Sequence, residues 1–360
     1  MRRRAAAIGA TLCIASASAA SAAPVKGTLL FRLNDARLQE VSGIAVGIVS
    51  PDVFYVQNDS GDSARFFAID RHTGKVRTEF DVPGATNVDW EDIAVATDAR
   101  GVASVWLADI GDNNAERPEV TIYRVDEPRV RGNVAVRTTP RPDVWRLTYP
   151  DGPHNAESLA VAPGGKAYII TKSPLGNSTA YLVPPKPDPR HPQRLGKVVD
   201  LQFKVLRTES PATATRQLSA TGAAFGNAGH TLVLRTYTDA YIYRIVGGNV
   251  KAALTRRPGA GFELPAQPLG EAITIAGDQL VIASEEVASP VYAVPLPGAK
   301  PLRASSAPVT SKSAAHTKDP NKGSGSGTWW RVLAVVVLVL GVLIAVAVVR
   351  GRRAGYRPLR

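Results

Sequence analysis

The stretch Ser42-Gly43-Ile44-Ala45-Val46 returns in pattern as Glu91-Asp92-Ile93-Ala94-Val95, Glu157-Ser158-Leu159-Ala160-Val161, Thr221-Gly222-Ala223-Ala224-Phe225 and Glu271-Ala272-Ile273-Thr274-Ile275. Each copy opens on a hydroxyl or carboxylate residue and runs into apolar residues that suit a buried strand. Successive starts lie 49, 66, 64 and 50 residues apart. Self-similarity at that spacing marks a repeat architecture.

Working outward from each copy, a second β-rich run follows at 53–57, 105–108, 167–171, 231–234 and 279–283, and a third at 65–69, 120–125, 179–183, 240–245 and 290–294. A fourth run follows in four repeats, at 75–82, 143–149, 197–205 and 251–264, the last interrupted by Pro258. The fifth repeat lacks one, and residues 26–33 at the other end of the chain can supply it. Four-stranded antiparallel units closed radially, with chain ends meeting in one unit, make an all-β propeller. A two-sheet sandwich would need no internal repeat. The count is five four-stranded blades. A sixth stays open in the 66- and 64-residue intervals, which otherwise hold long loops at 129–142 and 184–194.

The chain ends read differently. Arg2, Arg3 and Arg4, an apolar stretch and the small residues Ala20-Ser21-Ala22 make residues 1–22 a signal peptide, which implies export. Cys13, the one cysteine, lies within it, so the exported domain has neither disulfide nor Cys-based chemistry. Residues 24–300 form the extracytoplasmic propeller, and the Ser-, Ala-, Lys- and Pro-rich residues 301–328 form a tether. Residues 329–349 begin with Trp329 and Trp330, and within them 332–349 is an unbroken run of apolar residues and Gly341, roughly 27 Å as a helix, which is the length of a membrane span. Arg350, Arg352, Arg353, Arg357 and Arg360 follow, placing residues 350–360 in the cytoplasm by the positive-inside rule. The expected protein is thus a single-pass cell-membrane protein with its N-terminal domain outside. The Ala- and Arg-rich composition suggests a bacterial source.

The net charge of +12 belongs mostly to these ends. The signal segment carries +3, residues 300–328 carry +4 and residues 329–360 carry +6, leaving −1 for the domain. Nucleic-acid binding by the domain is therefore unsupported.

In a propeller the first strand of each blade lines the central channel, so Ser42, Glu91, Glu157, Thr221 and Glu271 converge on one axis. Three glutamates there must hold protons or share a cation. Oxygen-only ligands favour a hard ion, and Ca²⁺ takes six to eight such oxygens. Separate capping of backbone amides by each glutamate is the competing reading. The order of these residues resembles that of the calcium-activated nucleotidase (apyrase) family, secreted five-bladed propellers with a calcium ion in the central tunnel. The likeness covers the layout of most of residues 25–296 and the ion ring. It implies Ca²⁺ held by Ser42, Glu91, Glu157, Thr221 and Glu271. The family's catalytic segments have no counterpart in this chain.

The loop after each second strand opens on the same face as the ring. Asn58-Asp59-Ser60-Gly61-Asp62 aligns with Asp109-Ile110-Gly111-Asp112, and the later blades place Lys172, Arg235 and Glu285-Glu286 there. Asp59, Asp62, Asp109, Asp112, Lys172, Arg235 and Glu285 are therefore ligand-binding candidates for an anionic or metal-bridged ligand. Asp and Gly are equally the ordinary residues of tight turns. Trp90 and Trp106 suit either ligand stacking or packing at a blade junction. Catalytic candidates are Asp59, Asp109, Asp112 and His154. The five histidines show no zinc spacing, and nucleophile-elbow, Walker A and dinucleotide motifs are absent. Three functions stay open: an anchored, Ca²⁺-containing propeller that binds an envelope or extracellular ligand or protein, a calcium-dependent hydrolase of nucleotides or other phosphate esters, and a lactonase- or esterase-like enzyme.

Overall fold

The computed structural model describes residues 25–297 apart from 134, 206–210 and 227. The expected signal peptide, tether, span and tail lie outside the described residues. Among the described residues, no helix is long and apolar enough to cross a membrane.

The chain opens with β1 (Thr28–Leu33), and the first blade is β2 (Val41–Val46), β3 (Val53–Asn58), β4 (Arg65–Asp70) and β5 (Val76–Asp81). The second contains β6 (Trp90–Thr97), β7 (Ala103–Asp109) and β8 (Val120–Asp126), then a short β9 (Val136–Thr138) and its fourth strand β10 (Asp143–Thr148). The third contains β11 (Ala156–Ala162), β12 (Lys166–Thr171) and β13 (Asn177–Leu182), then β14 (Asp188–Arg194) and its fourth strand β15 (Gly196–Gln202). Helix α1 (Pro211–Leu218) leads into the fourth blade, β16 (Ala220–Phe225), β17 (Thr231–Thr236), β18 (Asp239–Arg244) and, after α2 (Val250–Leu254), β19 (Ala260–Glu263). The fifth is β20 (Gly270–Ala276), β21 (Gln279–Ser284) and β22 (Ser289–Pro295), completed by β1, which pairs antiparallel with β22.

Five sheets therefore make a five-bladed propeller, with no sixth sheet among the described residues. The inner strands contact one another in a closed ring, β2 to β6 to β11 to β16 to β20 and back to β2. Each inner strand is covered on both faces, which is why the repeats read as near-continuous apolar runs and not as alternating ones. Small residues permit the close approach. A Cβ on Gly43 would lie 2.6 Å from the backbone nitrogen of Ile93 on the next blade.

Five apolar clusters fill the five blade junctions. Trp106 and Trp145 stack at 5.0 Å between blades two and three, while Phe66 and Phe80 stack at 5.0 Å between blades one and two. Leu33 and Phe31 of β1 enter the junction of blades five and one, so closure buries apolar side chains as well as pairing an edge.

Two expectations change. The segments 129–142 and 184–194, read as long loops, each carry a strand back to the preceding blade. β9 pairs parallel with β5 of blade one, and β14 pairs parallel with β10 of blade two. They cover outer edges that would otherwise be unpaired. The fourth run of blade four, read across 251–264, divides into α2 and a four-residue β19. Asn249 caps the helix, its side chain accepting from the Ala252 amide, and the strand begins only after Pro258, which cannot donate to a ladder.

Candidate functional site

All five ring positions sit at register shifts between first and second strands. The breaks fall at Val41/Gly43, Trp90/Asp92, Ala156/Ser158, Ala220/Gly222 and Gly270/Ile273. A bulge re-aims the extra residue's side chain. Ser42, Glu91, Glu157, Thr221 and Glu271 are thus turned out of their ladders by one device used five times. Each is buried.

The hydroxyl members tie blades together. Ser42 Oγ donates to the Trp90 carbonyl at 3.0 Å and accepts from Gln57 Nε2 at 2.7 Å. Thr221 Oγ1 donates to the Gly270 carbonyl at 3.1 Å. The glutamates divide among three neighbours. Glu91 lies with Asp59 and Asp89, and these three carboxylates have oxygens within 4.8 Å of one another, the one such group among the described residues. Glu157 accepts from Lys172 Nζ, which also donates to the Tyr237 hydroxyl at 2.7 Å. Glu271 shares a hydrogen bond with Glu285. One oxygen each of Glu157 and Glu271 is buried without a hydrogen-bond partner.

Local structure explains how Asp89 reaches Glu91. Asp109, at the end of β7, accepts from the amide of Asp89 at 3.1 Å and ion-pairs with Arg117 at 2.9 Å, while the Gly111 amide donates to the Asp89 carbonyl at 3.1 Å. Gly111 leaves the space the carboxylates occupy. A Cβ there would lie 2.3 Å from Glu91 Oε1 and 2.4 Å from Asp89 Oδ2. Asn87 holds the turn to blade one, donating to the Asp59 carbonyl at 2.8 Å.

Six carboxylates, Asp59, Asp89, Glu91, Glu157, Glu271 and Glu285, form one electrostatically connected group with Lys172 as the cation among them. Burial, then repulsion from Glu157, Asp59 and Glu271, holds Glu91 well above the ordinary carboxylate range. Burial and repulsion likewise raise Glu271. Asp59 is pushed up to about 8 by burial and by Asp89. Glu157 is pushed up to about 7 by burial, against the pull of Lys172. The mouth therefore has a high affinity for positive charge, whether proton or metal. Deeper in, the channel narrows to a cavity of about 20 Å³ lined by Ile44, Ile93, Val161, Phe225 and Thr274.

Other expected ligand-binding residues lie elsewhere. Arg235 is fully buried and donates to the carbonyls of Ala272 at 2.7 Å, Thr236 at 3.1 Å and Ala283 at 3.3 Å; burial pushes its pKa down to about 9. It fastens blade four to blade five and offers no cation to the open face. Asp112 accepts the amides of Glu116 and Arg117 at 2.9 and 2.7 Å, organising its own turn. Asp62 pairs with Arg65 at 2.8 Å and lines a separate cleft of about 360 Å³ with Arg37 and Glu40. His154 sits among Asp151, Tyr181 and Tyr149, 3.1 Å from both Asp151 Oδ1 and the Tyr181 hydroxyl. Trp90 and Trp106 are buried in blade junctions.

Asp89, Tyr237 and Asp92 were not singled out from sequence. Three acids in Asp89-Trp90-Glu91-Asp92 were the available signal. Fully buried Asp92 accepts from Ile93, Leu159 and Ala223 amides at 2.8, 2.8 and 3.3 Å, joining three inner strands below the mouth. Burial, the largest influence, holds its carboxyl well above the ordinary range.

No family model and no curated protein matches the chain. Among solved structures, it is similar to the PQQ-bound aldose sugar dehydrogenase of Streptomyces coelicolor at 13% identity, covering 76% of this chain and 99% of that one with a TM-score of 0.42. Kuenenia stuttgartiensis hydrazine synthase is 14% identical over 69% of this chain and 57% of its own, with a TM-score of 0.33. The β-propeller domain of Myceliophteria thermophila Cps50 (Swd1) is 9% identical over 71% of this chain and 83% of its own, with a TM-score of 0.36. At these values, the five-bladed assignment rests on the chain's own sheet topology.

Proposed function

We propose that this propeller holds a hard divalent cation, Ca²⁺ by its donor set, in the acidic mouth, and uses that mouth to bind an oxyanionic ligand outside a membrane. The observation that carries the reading is the imbalance of six carboxylates against Lys172, with buried oxygens of Glu157 and Glu271 left unpartnered. Carboxylate oxygens within 4.8 Å of one another suit a cation that takes oxygen at 2.3–2.6 Å. Asp59, Asp89 and Glu91 are the residues that would hold it, with Glu157 and Glu271 adding charge to the same field. The Ser42 and Thr221 hydroxyls, engaged in blade junctions, serve as supports. When bound, the cation would neutralise the mouth and attract ligand oxygens.

Lys172 and Tyr237 supply the complementary donors. Lys172 is held charged by Glu157 and Tyr237 against its burial, and burial keeps the Tyr237 hydroxyl protonated. The N–H and O–H lie side by side at 2.7 Å, fit to bind one oxyanion together. That pair favours the second reading, hydrolysis of a phosphate ester as in the calcium-activated nucleotidase family, over a lactonase. Asp59 is the catalytic candidate that reaches the mouth.

Export through residues 1–22 and anchoring through 329–349 belong to the same proposal. Incubating the full-length protein with nucleotides, simple phosphate esters and lactones, with Ca²⁺ or EDTA, separates the readings. Ca²⁺-dependent binding without turnover supports a binding module, and Ca²⁺-dependent release of phosphate supports the hydrolase. Equal behaviour in EDTA contradicts both. Protease added to intact cells should free the domain by cutting within 301–328, and release of the C-terminal tail from outside would overturn the orientation.

A further inference from the structure

The acidic mouth has a counterpart elsewhere on the domain. Residues 128–142 read Pro-Arg-Val-Arg-Gly-Asn-Val-Ala-Val-Arg-Thr-Thr-Pro-Arg-Pro, with four arginines and no acid. This segment carries β9 back onto the outer edge of blade one, where its three residues are exposed. Arg129, Arg131, Arg137 and Arg141 are exposed, and Arg77 of β5 joins them by donating to the Gly132 carbonyl at 3.3 Å. Arg137 is held over the Phe80 ring at 5.2 Å and donates to the Arg129 carbonyl at 2.8 Å.

None of these five arginines has a carboxylate within ion-pair distance among the described residues. Of the acids nearby, Asp81 on β5 stays on this edge, in register with Thr138, and three others are committed to other partners. Glu79 pairs with Arg37 and Arg65 at 3.0 and 2.8 Å, and Asp143 pairs with Arg124. Glu127 accepts the amides of Ile48, Val49 and Ser50. A near-neutral domain thus separates its charges, with acids at the channel mouth and unpaired guanidinium forks on one outer edge. Guanidinium matches phosphate geometry and is weakly hydrated, so such an edge suits a phosphate-bearing surface.

We infer that the β5–β9 edge docks onto anionic phospholipid headgroups. The choice of a lipid surface rests on the reading of 329–349 as a membrane span. On the same reading, 28 residues of the composition of 301–328 would reach roughly 30 Å, which would keep such a membrane within reach of the domain. Docking would give a tethered domain a fixed face toward the bilayer.

The test uses the full-length protein with Cys13→Ser and Val136→Cys, spin-labelled at exposed position 136 and reconstituted in phosphatidylcholine vesicles with or without 30% phosphatidylglycerol. Docking predicts immobilisation of the label only with phosphatidylglycerol, at 0.1 M salt but not at 1 M, where the screening length falls from about 10 Å to about 3 Å. Replacing Arg129, Arg131 and Arg141 by Gln should weaken docking by about fivefold per arginine, on the order of a hundredfold together. Lys at the same positions should retain most of it. Arg77 and Arg137, which hold the edge together, stay unchanged in both variants. Identical spectra in the two lipids, or an undiminished response in the Gln variant, would overturn the inference. Immobilisation by soluble polyphosphate with no response to phosphatidylglycerol would overturn it in favour of a polymer partner. Carbonate-resistant flotation with phosphatidylcholine alone reports the span independently, so failure of the anchor and failure of the edge are distinguishable.

Discussion

Raising the pH should destabilise the metal-free propeller. Glu157 titrates near 4.5 when unfolded and at about 7 in the native mouth, while Asp59 moves from 3.8 to about 8. Native pKa values above the unfolded ones mean that the folded state binds the extra protons. The stability they contribute is complete below the unfolded values and is lost as pH rises through 7 and 8. For Glu157 alone, about 2.5 units at 1.36 kcal/mol each give roughly 3 kcal/mol. In a domain of this size that corresponds to a Tm lowered by roughly 6–12 °C. Carboxylates held below their ordinary values, such as Asp35, Asp70 and Asp151, act in the opposite sense only below about pH 4 and leave this window clear. Melting the EDTA-treated full-length protein from pH 5 to 8.5 measures the slope. Saturating Ca²⁺ should remove it by supplying the charge that protons supply at low pH. A metal-free Tm that stays level or rises between pH 5 and 8.5 would refute this electrostatic account.

Three further outcomes follow from the packing. Gly111→Ala forces a methyl against Glu91 and Asp89 and should cost about 1–3 kcal/mol while abolishing the Ca²⁺-induced rise in Tm; an unchanged Ca²⁺ response would contradict it. Asp92→Ala leaves the Leu159 and Ala223 amides without their acceptor at about 1–3 kcal/mol each, so urea unfolding should show a loss of roughly 3 kcal/mol, and a loss under about 1 would show the brace is dispensable. Deleting residues 25–33 removes β1, exposes the β22 edge and empties the places of Phe31 and Leu33, so cooperative melting should be lost; an unchanged Tm would show that the ring closes without this strand.

The inner strands were legible in sequence because each is covered on both faces and so appears as a compact apolar run after a polar residue. The same register placed Ser42, Glu91, Glu157, Thr221 and Glu271 at equivalent strand starts, but the bulge at each depends on pairing with the second strand and leaves no mark in sequence. Closure by β1 followed from a strand missing at one end and spare at the other. The backward pairing of β9 and β14 was not legible. A parallel partner on another blade leaves no local pattern in segments whose side chains face solvent. The site was half legible for a related reason. Asp59 and Asp109 align in sequence, yet Asp109 meets Arg117 and the Asp89 amide while Asp59 faces other carboxylates. Alignment gives the position of a Cα, and the neighbours that decide a carboxylate's role come from different blades. Arg235 illustrates this most sharply, since carbonyls of β20 and β21 claim its guanidinium.

Calorimetric titration of the EDTA-treated full-length protein with Ca²⁺ at pH 7 tests the central claim most directly. One site should appear, with heats that depend on buffer ionisation because the cation displaces protons held among Asp59, Glu91, Glu157 and Glu271. Mg²⁺ should bind more weakly, since it gives up its waters reluctantly. Glu91→Gln and Asp59→Asn should each reduce the affinity sharply. Absence of Ca²⁺ binding, or binding that both variants leave intact, would contradict a cation in the propeller mouth.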